Sequence, residues 1–155
     1  MKKLRIIALV MTFCLIFGGC AAYKEHSTEI EATVGVWYLD SYYVNTKSTA
    51  HGEAKLVINE DLTGTYTTFS EIVSGVDENG NDVLETREET QNITVTGASG
   101  VININRDGVS ATYEFNVDEA AGTLHFIYTD EAGDIIHYVY LSQAAHDEET
   151  STRTN

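Results

Sequence analysis

Residues 91–141 read QNITVTGASG VININRDGVS ATYEFNVDEA AGTLHFIYTD EAGDIIHYVY L, and their punctuation decides the fold. Asp107-Gly108 is the dipeptide that a two-residue type I′ hairpin loop prefers. Pairing Arg106 with Val109 sets Ile104 opposite Ala111 and Ile102 opposite Tyr113. A four-residue loop at Gly97-Ala98-Ser99-Gly100 is expected to place Val95 opposite Ile102 and Ile93 opposite Ile104. Loops at Glu119-Ala120-Ala121-Gly122 and Glu131-Ala132-Gly133 put Phe115 against Phe126, Tyr113 against Tyr128, Phe126 against Tyr138 and Leu124 against Tyr140. Each turn carries a Gly able to take positive φ. The four turns together yield one continuous apolar face, which a one-residue slip would destroy.

Working outward, Val34 to about Val44 reads as a first strand, followed by a polar loop at 45–52. Glu53 to Asn59 is a second strand with Ala54, Leu56 and Ile58 on one side. A turn at Glu60-Asp61-Leu62 leads into Thr63–Val76, with Gly64 facing Ile58 and Tyr66 facing Leu56. Asn79-Gly80 closes the next hairpin and is expected to pair Tyr66 with Ile93. The inward positions Thr68, Ser70, Arg87, Glu89 and Gln91 are polar, so this stretch either projects as a long hairpin or lines a wet opening.

The count is eight strands on short connections, an antiparallel up-and-down meander. With one apolar face it is best closed as a barrel, which removes exposed edges. An open two-sheet sandwich is the alternative. The absence of proline suits uninterrupted ladders.

The first nineteen residues read as export machinery. Lys2, Lys3 and Arg5 precede an apolar run, Ile6 to Gly19, which falls short of the roughly 20 residues a spanning helix needs. Gly18-Gly19-Cys20 resembles the lipobox of bacterial lipoproteins, whose cysteine takes diacylglycerol and acyl chains such as palmitate. That resemblance implies lipidation at Cys20, anchorage to the membrane and an extracytoplasmic, cell-envelope location. Cys14 lies within the signal, so Cys20 is the one cysteine left after cleavage. Residues 20–33 then read as a polar tether, 34–141 as the barrel domain and 142–155 as a disordered acidic tail.

The whole chain carries a formal charge of −15. Removing Lys2, Lys3 and Arg5 leaves six basic residues against 24 acidic ones, hence −18. Such a surface excludes nucleic acid as a partner and favours solubility or a basic protein partner.

Gly35-Val36-Trp37 resembles the Gly-x-Trp signature that opens the first strand of lipocalins. The run from Leu56 to Tyr66, with its Asn59-Glu60-Asp61-Leu62-Thr63-Gly64 turn, looks like the second element of small bacterial lipocalin-like lipoproteins, except that Leu62 stands where those have Gly. The last strand also lacks the Arg that packs over the Trp in many lipocalins. The resemblance implies an eight-stranded lipocalin-like barrel, with Gly35 and Trp37 closing one end and small apolar molecules bound inside.

Nine tyrosines are the unusual feature. In this register Tyr66, Tyr113, Tyr128, Tyr138 and Tyr140 point inward with Phe115 and Phe126. They form either a cavity for an apolar or amphipathic ligand or a barrel filled by its own side chains. His125 and His137 fall on the outward face as diagonal neighbours, roughly 7–8 Å apart, without a third metal ligand. Asp77, Asn79, Asn81 and Glu88 fall at EF-hand spacing, but Asp82 occupies the position that needs Gly and no helices flank the segment. A hairpin tip is the reading, with weak calcium binding as the alternative. No nucleophile elbow, zinc motif or phosphate loop occurs. The expectation is a non-catalytic binding module without cofactor or metal, the alternative being a surface interaction protein.

Overall fold

In the computed structural model, which describes residues 26–27 and 29–153, Asp107 and Gly108 take φ of 48° and 86°, the left-handed pair of a type I′ turn. The strands they join, β7 (Val101–Arg106) and β8 (Val109–Asp118), pair Ile104 with Ala111 and Ile102 with Tyr113. Around them lie β1 (His26–Ser27), β2 (Gly35–Val44), β3 (Lys47–Thr49), β4 (Glu53–Ile58), β5 (Thr63–Val76), β6 (Asp82–Ala98), β9 (Thr123–Thr129), β10 (Ile135–Ser142) and α1 (Gln143–Arg153). Hydrogen bonding runs β8-β7-β6-β5-β4-β2-β10-β9 and returns from β9 to β8. The result is an antiparallel, closed, eight-stranded β-barrel.

Two registers differ from expectation, each by two residues. Ser99 and Gly100 both take positive φ and form a two-residue turn. The strands therefore run on to Ala98 and Val101, placing Val95 opposite Ile104 and Gly97 opposite Ile102. Likewise Tyr66 pairs with Gln91 and Gly64 with Ile93, with an irregularity between Val73 and Gly75. A two-residue shift leaves every side chain on its own face, so the apolar interior survives both differences.

Leu56, Ile58, Ile93, Val95, Ile102, Val117, Leu124 and Phe126 are almost fully buried inside the barrel. One end is stoppered by a 3-10 turn, Ile30–Thr33, that puts Ile30 into this core. Trp37 is 5% exposed there, and its indole N–H donates to the Thr33 carbonyl at 2.7 Å. At the adjacent turn Leu62 takes φ 60°, so the left-handed geometry is kept without glycine. Its side chain packs against the core, offsetting the strain of about 1–2 kcal/mol.

The termini depart from expectation. The tether expected over 20–33 is ordered at its inner end, where β1 pairs with β8 and Ile30 and Thr33 are buried. The signal segment and Cys20 lie outside the described residues. The tail is helical over Gln143–Arg153, not disordered. Ser142 Oγ accepts from the Ala145 N–H at 3.4 Å, and Tyr38 holds the helix by stacking on His146 at 4.2 Å and donating to Gln143 at 2.9 Å. The loop expected over 45–52 contains β3, paired back on β2.

Close strand approach makes one glycine indispensable. A Cβ on Gly64 would sit 1.9 Å from the Val57 carbonyl oxygen, and backbone cannot yield as a side chain would. Gly64→Ala is expected to destabilise the barrel by about 3 kcal/mol, read as a lower urea midpoint. Gly75→Ala, with nothing within 4 Å, should leave the midpoint unchanged.

Candidate functional site

Above the aliphatic floor the barrel interior turns aromatic. Tyr66 on β5, Tyr113 on β8, Phe126 on β9, and Tyr138 and Tyr140 on β10 surround a cavity of about 120 Å³, floored by Leu56 and Ile104. This is small beside the roughly 300–1,000 Å³ of drug-sized ligand pockets. It approaches the roughly 150 Å³ that accommodates a benzene ring. The interior is thus largely filled by its own side chains, with one residual space near the end where β7 turns into β8.

Of the residues expected to bind ligand, two stand apart from that space. Phe115 is 4% exposed and belongs to the core below. Tyr128 stands behind the lining, edge-on to Tyr113 at 5.5 Å and stacked on Tyr138 at 6.4 Å between ring centres. Tyr113 is also stacked on Phe126 at 5.4 Å. Two interior side chains were not anticipated. Tyr42 stacks on Tyr138 at 5.0 Å, because a register shift in the β2–β10 pairing, between Val139 and Tyr140, breaks strict alternation along β2. Arg106, the last residue of β7, lines the cavity, its guanidinium carbon 4.9 Å from the Tyr66 ring centre.

Burial controls the chemistry of these phenols. Desolvation pushes Tyr113, Tyr138 and Tyr140 above their ordinary pKa, Tyr140 furthest into the interior. The neighbouring tyrosines add to the rise at Tyr140, and the Arg106 charge opposes it. All three are neutral hydroxyls at physiological pH, able to orient a polar group but not to act as bases. Nothing in this arrangement pairs a nucleophile with a base.

The β5–β6 hairpin rises from the same end. Every residue from Ser70 to Asn92 is exposed, so the stretch projects beyond the barrel. Its tip is organised by Asp77, whose carboxylate accepts from the N–H groups of Asn79 and Asn81, each at 2.8 Å, and from the Asn81 amide at 3.0 Å. Those bonds, the Asn81 amide foremost, hold Asp77 below the usual carboxylate range. The carboxylate that would have to lead a calcium loop is thus occupied in closing a turn.

A wider trench of about 510 Å³ lies outside the barrel between α1, β2 and β4, with Asp40, Glu53 and His51 on its walls. The His51 ring nitrogens face the carbonyls of Asp40 and Gly52 at 2.7 and 3.0 Å, so the ring is committed to backbone.

On the outer face, His125 and His137 stand opposite Val139 and Ile127 as expected. They are closer than expected, with Nδ1 of His125 2.9 Å from Nε2 of His137. Tyr43 lies beside His137, and Thr123 Oγ1 is 3.1 Å from His125 Nε2. Among the described residues no three His, Cys, Asp or Glu side chains converge as metal ligands.

No known protein family, curated protein or solved structure matches the chain. Among the described residues no helix is long and apolar enough to cross a membrane.

Partial burial lowers the His137 pKa below its ordinary 6.5. The folded state therefore prefers the neutral ring. Its contribution to stability is present above the unfolded pKa and lost as pH falls through the folded one. Imidazole NMR titration should give His137 a midpoint below 6.5, and His137→Gln should reduce the loss of stability between pH 7 and 5.

Proposed function

We propose that the chain is a lipid-anchored, extracytoplasmic, lipocalin-like binding protein without catalytic activity, which holds a small amphipathic molecule at the tyrosine-lined end of its barrel. The observation that carries this reading is the cavity itself. One end of the barrel is stoppered by Ile30–Thr33 and packed with aliphatic side chains, while the opposite half carries hydroxyl-bearing rings around a space they do not fill. Packing alone would be met by Leu, Ile or Phe, which bring no hydroxyl to satisfy. Apolar burial worth roughly 25 cal/mol per Å² supplies affinity, and the Tyr hydroxyls supply orientation. The size of the space fits a ring or the end of a short chain, not an entire lipid.

The anchor rests on the basic start, the apolar run and Gly18-Gly19-Cys20. Full-length chain expressed in bacteria should enter the detergent phase on phase separation, and Cys20→Ser should return it to the aqueous phase. Equal partitioning of the two would exclude lipidation at Cys20.

Occupancy is tested by native mass spectrometry of the full chain released from detergent micelles. A reproducible mass beyond that of the lipidated chain, lost on denaturation, is expected. Tyr113→Ala and Tyr138→Ala should each reduce retention about tenfold. A bare mass from the native membrane counts against a resident ligand.

A second reading has its own observation. Beyond the barrel the β5–β6 ribbon exposes Ile72, Val73, Val76, Val83 and Leu84 between acidic side chains. Its outer strand edges have no partner strand among the described residues beyond Phe69 on β5 and before Ile93 on β6. Unpaired edges accept an extended segment by strand addition, and the acidic flanks favour a basic one. Lysine substitutions at Glu78 and Asp82, which leave the Asp77 turn intact, should abolish capture of a basic partner while leaving the urea midpoint unchanged.

A further inference from the structure

In a chain with a formal −15, the side chain that meets the cavity with a full charge is a cation. Arg106 is half-buried at the end of β7, lies on the inward face with Ile102 and Ile104, and rests against the Tyr66 ring. Among the described residues it forms no ion pair. Glu89, the inward acid nearest in the hairpin ladder, is bridged by Arg87 at 2.9 Å. The groups that act electrostatically on Tyr113 and Tyr140 are other tyrosines and Arg106, without a carboxylate. A guanidinium held at a tyrosine-lined space, with no carboxylate paired to it among the described residues, is a receptor for an anion brought from outside.

We propose that the barrel mouth selects a carboxylate. The ligand's carboxylate meets the planar fork of Arg106, and its ring or short chain enters the space between Tyr113, Phe126, Tyr138 and Tyr140. This rests on the reading of the barrel as a ligand carrier and names the class of ligand. A monoanion matches the single guanidinium. A phosphate dianion would leave a surplus negative charge facing an acidic protein. At physiological ionic strength the Debye length is about 8 Å, so the remote surface acids are screened while the contact with Arg106 is not. The guanidinium also has the geometry for two parallel hydrogen bonds, which a lysine lacks. Tyrosine hydroxyls, kept protonated by burial, remain donors to the same carboxylate.

The test is fluorine NMR of the full chain in micelles at pH 7.4 and physiological ionic strength, titrated with 4-fluorobenzoate and with its neutral counterpart 4-fluorobenzyl alcohol. Benzoate is expected to bind at least tenfold more tightly than the alcohol. Arg106→Gln should weaken benzoate at least tenfold and change the alcohol by less than twofold, while Arg106→Lys retains part of the preference. Unchanged urea midpoints establish that both variants fold. If the alcohol binds as well as benzoate, or if Arg106→Gln leaves benzoate untouched, Arg106 serves only to cover Tyr66 and the anion inference falls, while the cavity as a binding site stands. If neither compound binds at millimolar concentration, the ligand-carrier reading falls and this inference goes with it.

Discussion

Pairing of β2 with β10 is the constraint on which the rest of this molecule depends. It joins residues 37–44 to 136–142, nearly a hundred positions apart, and converts a meander into a closed surface. Until that ladder forms, β2 and β10 each offer a row of unpaired backbone groups to any other strand. Contacts of such sequence separation incur loop-closure entropy before they contribute, so the stabilisation must come from what closure encloses. Ile102, Leu124, Leu56 and Val117 lose nearly all contact with water only inside a complete ring. The stopper at Ile30–Thr33 makes sense only on a ring already closed, since Ile30 joins the core that the ring encloses and the Thr33 carbonyl takes the Trp37 indole N–H.

Closure at eight strands also fixes how much room the interior has. The diameter of such a barrel is just sufficient for side chains to fill it, and at the stoppered end they do. The opposite half contains the larger rings, and larger rings tile a cylinder less completely than aliphatic chains. Tyr113 is stacked on Phe126 yet edge-on to Tyr128 and Tyr138, an arrangement that leaves the space between Tyr66, Tyr138 and Tyr140. Chemical polarity follows the same axis. Tyr140 is 4% exposed, and desolvation raises its pKa strongly, while Arg106 remains half-buried and charged at the rim. The gradient from hydrocarbon through phenol to guanidinium runs along a single cavity, and it is the gradient an amphipathic monoanion would complement.

How far this was legible in sequence depends on which periodicity carried the information. Strand identity, the one-face interior and the pairings around Asp107-Gly108, Phe115 and Phe126 follow from alternation plus turn chemistry, both local. The two displaced registers arose where the choice of turn was ambiguous: Gly97-Ala98-Ser99-Gly100 can close as four residues, but Ser99 tolerates φ 53°, and so Ser99-Gly100 suffices. Errors of two are invisible to a pattern of period two. Tyr42 was hidden by the irregular β2–β10 register, which alternation cannot foresee. Arg106 was hidden by its place beside a turn, where a charged residue ordinarily means solvent. The helix after Ser142 carries no apolar stripe, since its hold on the barrel is a Tyr38–His146 stack between residues more than a hundred positions apart. The closeness of His125 and His137 depends on rotamers, which strand pairing leaves open.

The projecting hairpin and the barrel mouth are consequences of the same two strands. β5 and β6 leave their barrel neighbours at Phe69 and Ile93 but continue to pair with each other as far as Val76 and Asp82. What is left uncovered above the rim is a two-stranded ribbon that no core supports, and two strands alone are marginal in water. Its cohesion comes from the β5–β6 backbone ladder, which runs on to Val76 and Asp82, and from the turn locked by Asp77. The ribbon stands over the end at which Arg106 and Tyr66 meet the cavity, and its acids carry the charge that Arg106 opposes. An anion approaching that end would be repelled by the ribbon and attracted by the rim. The acidic ribbon and the inner cation thus oppose each other in charge at one end of the barrel.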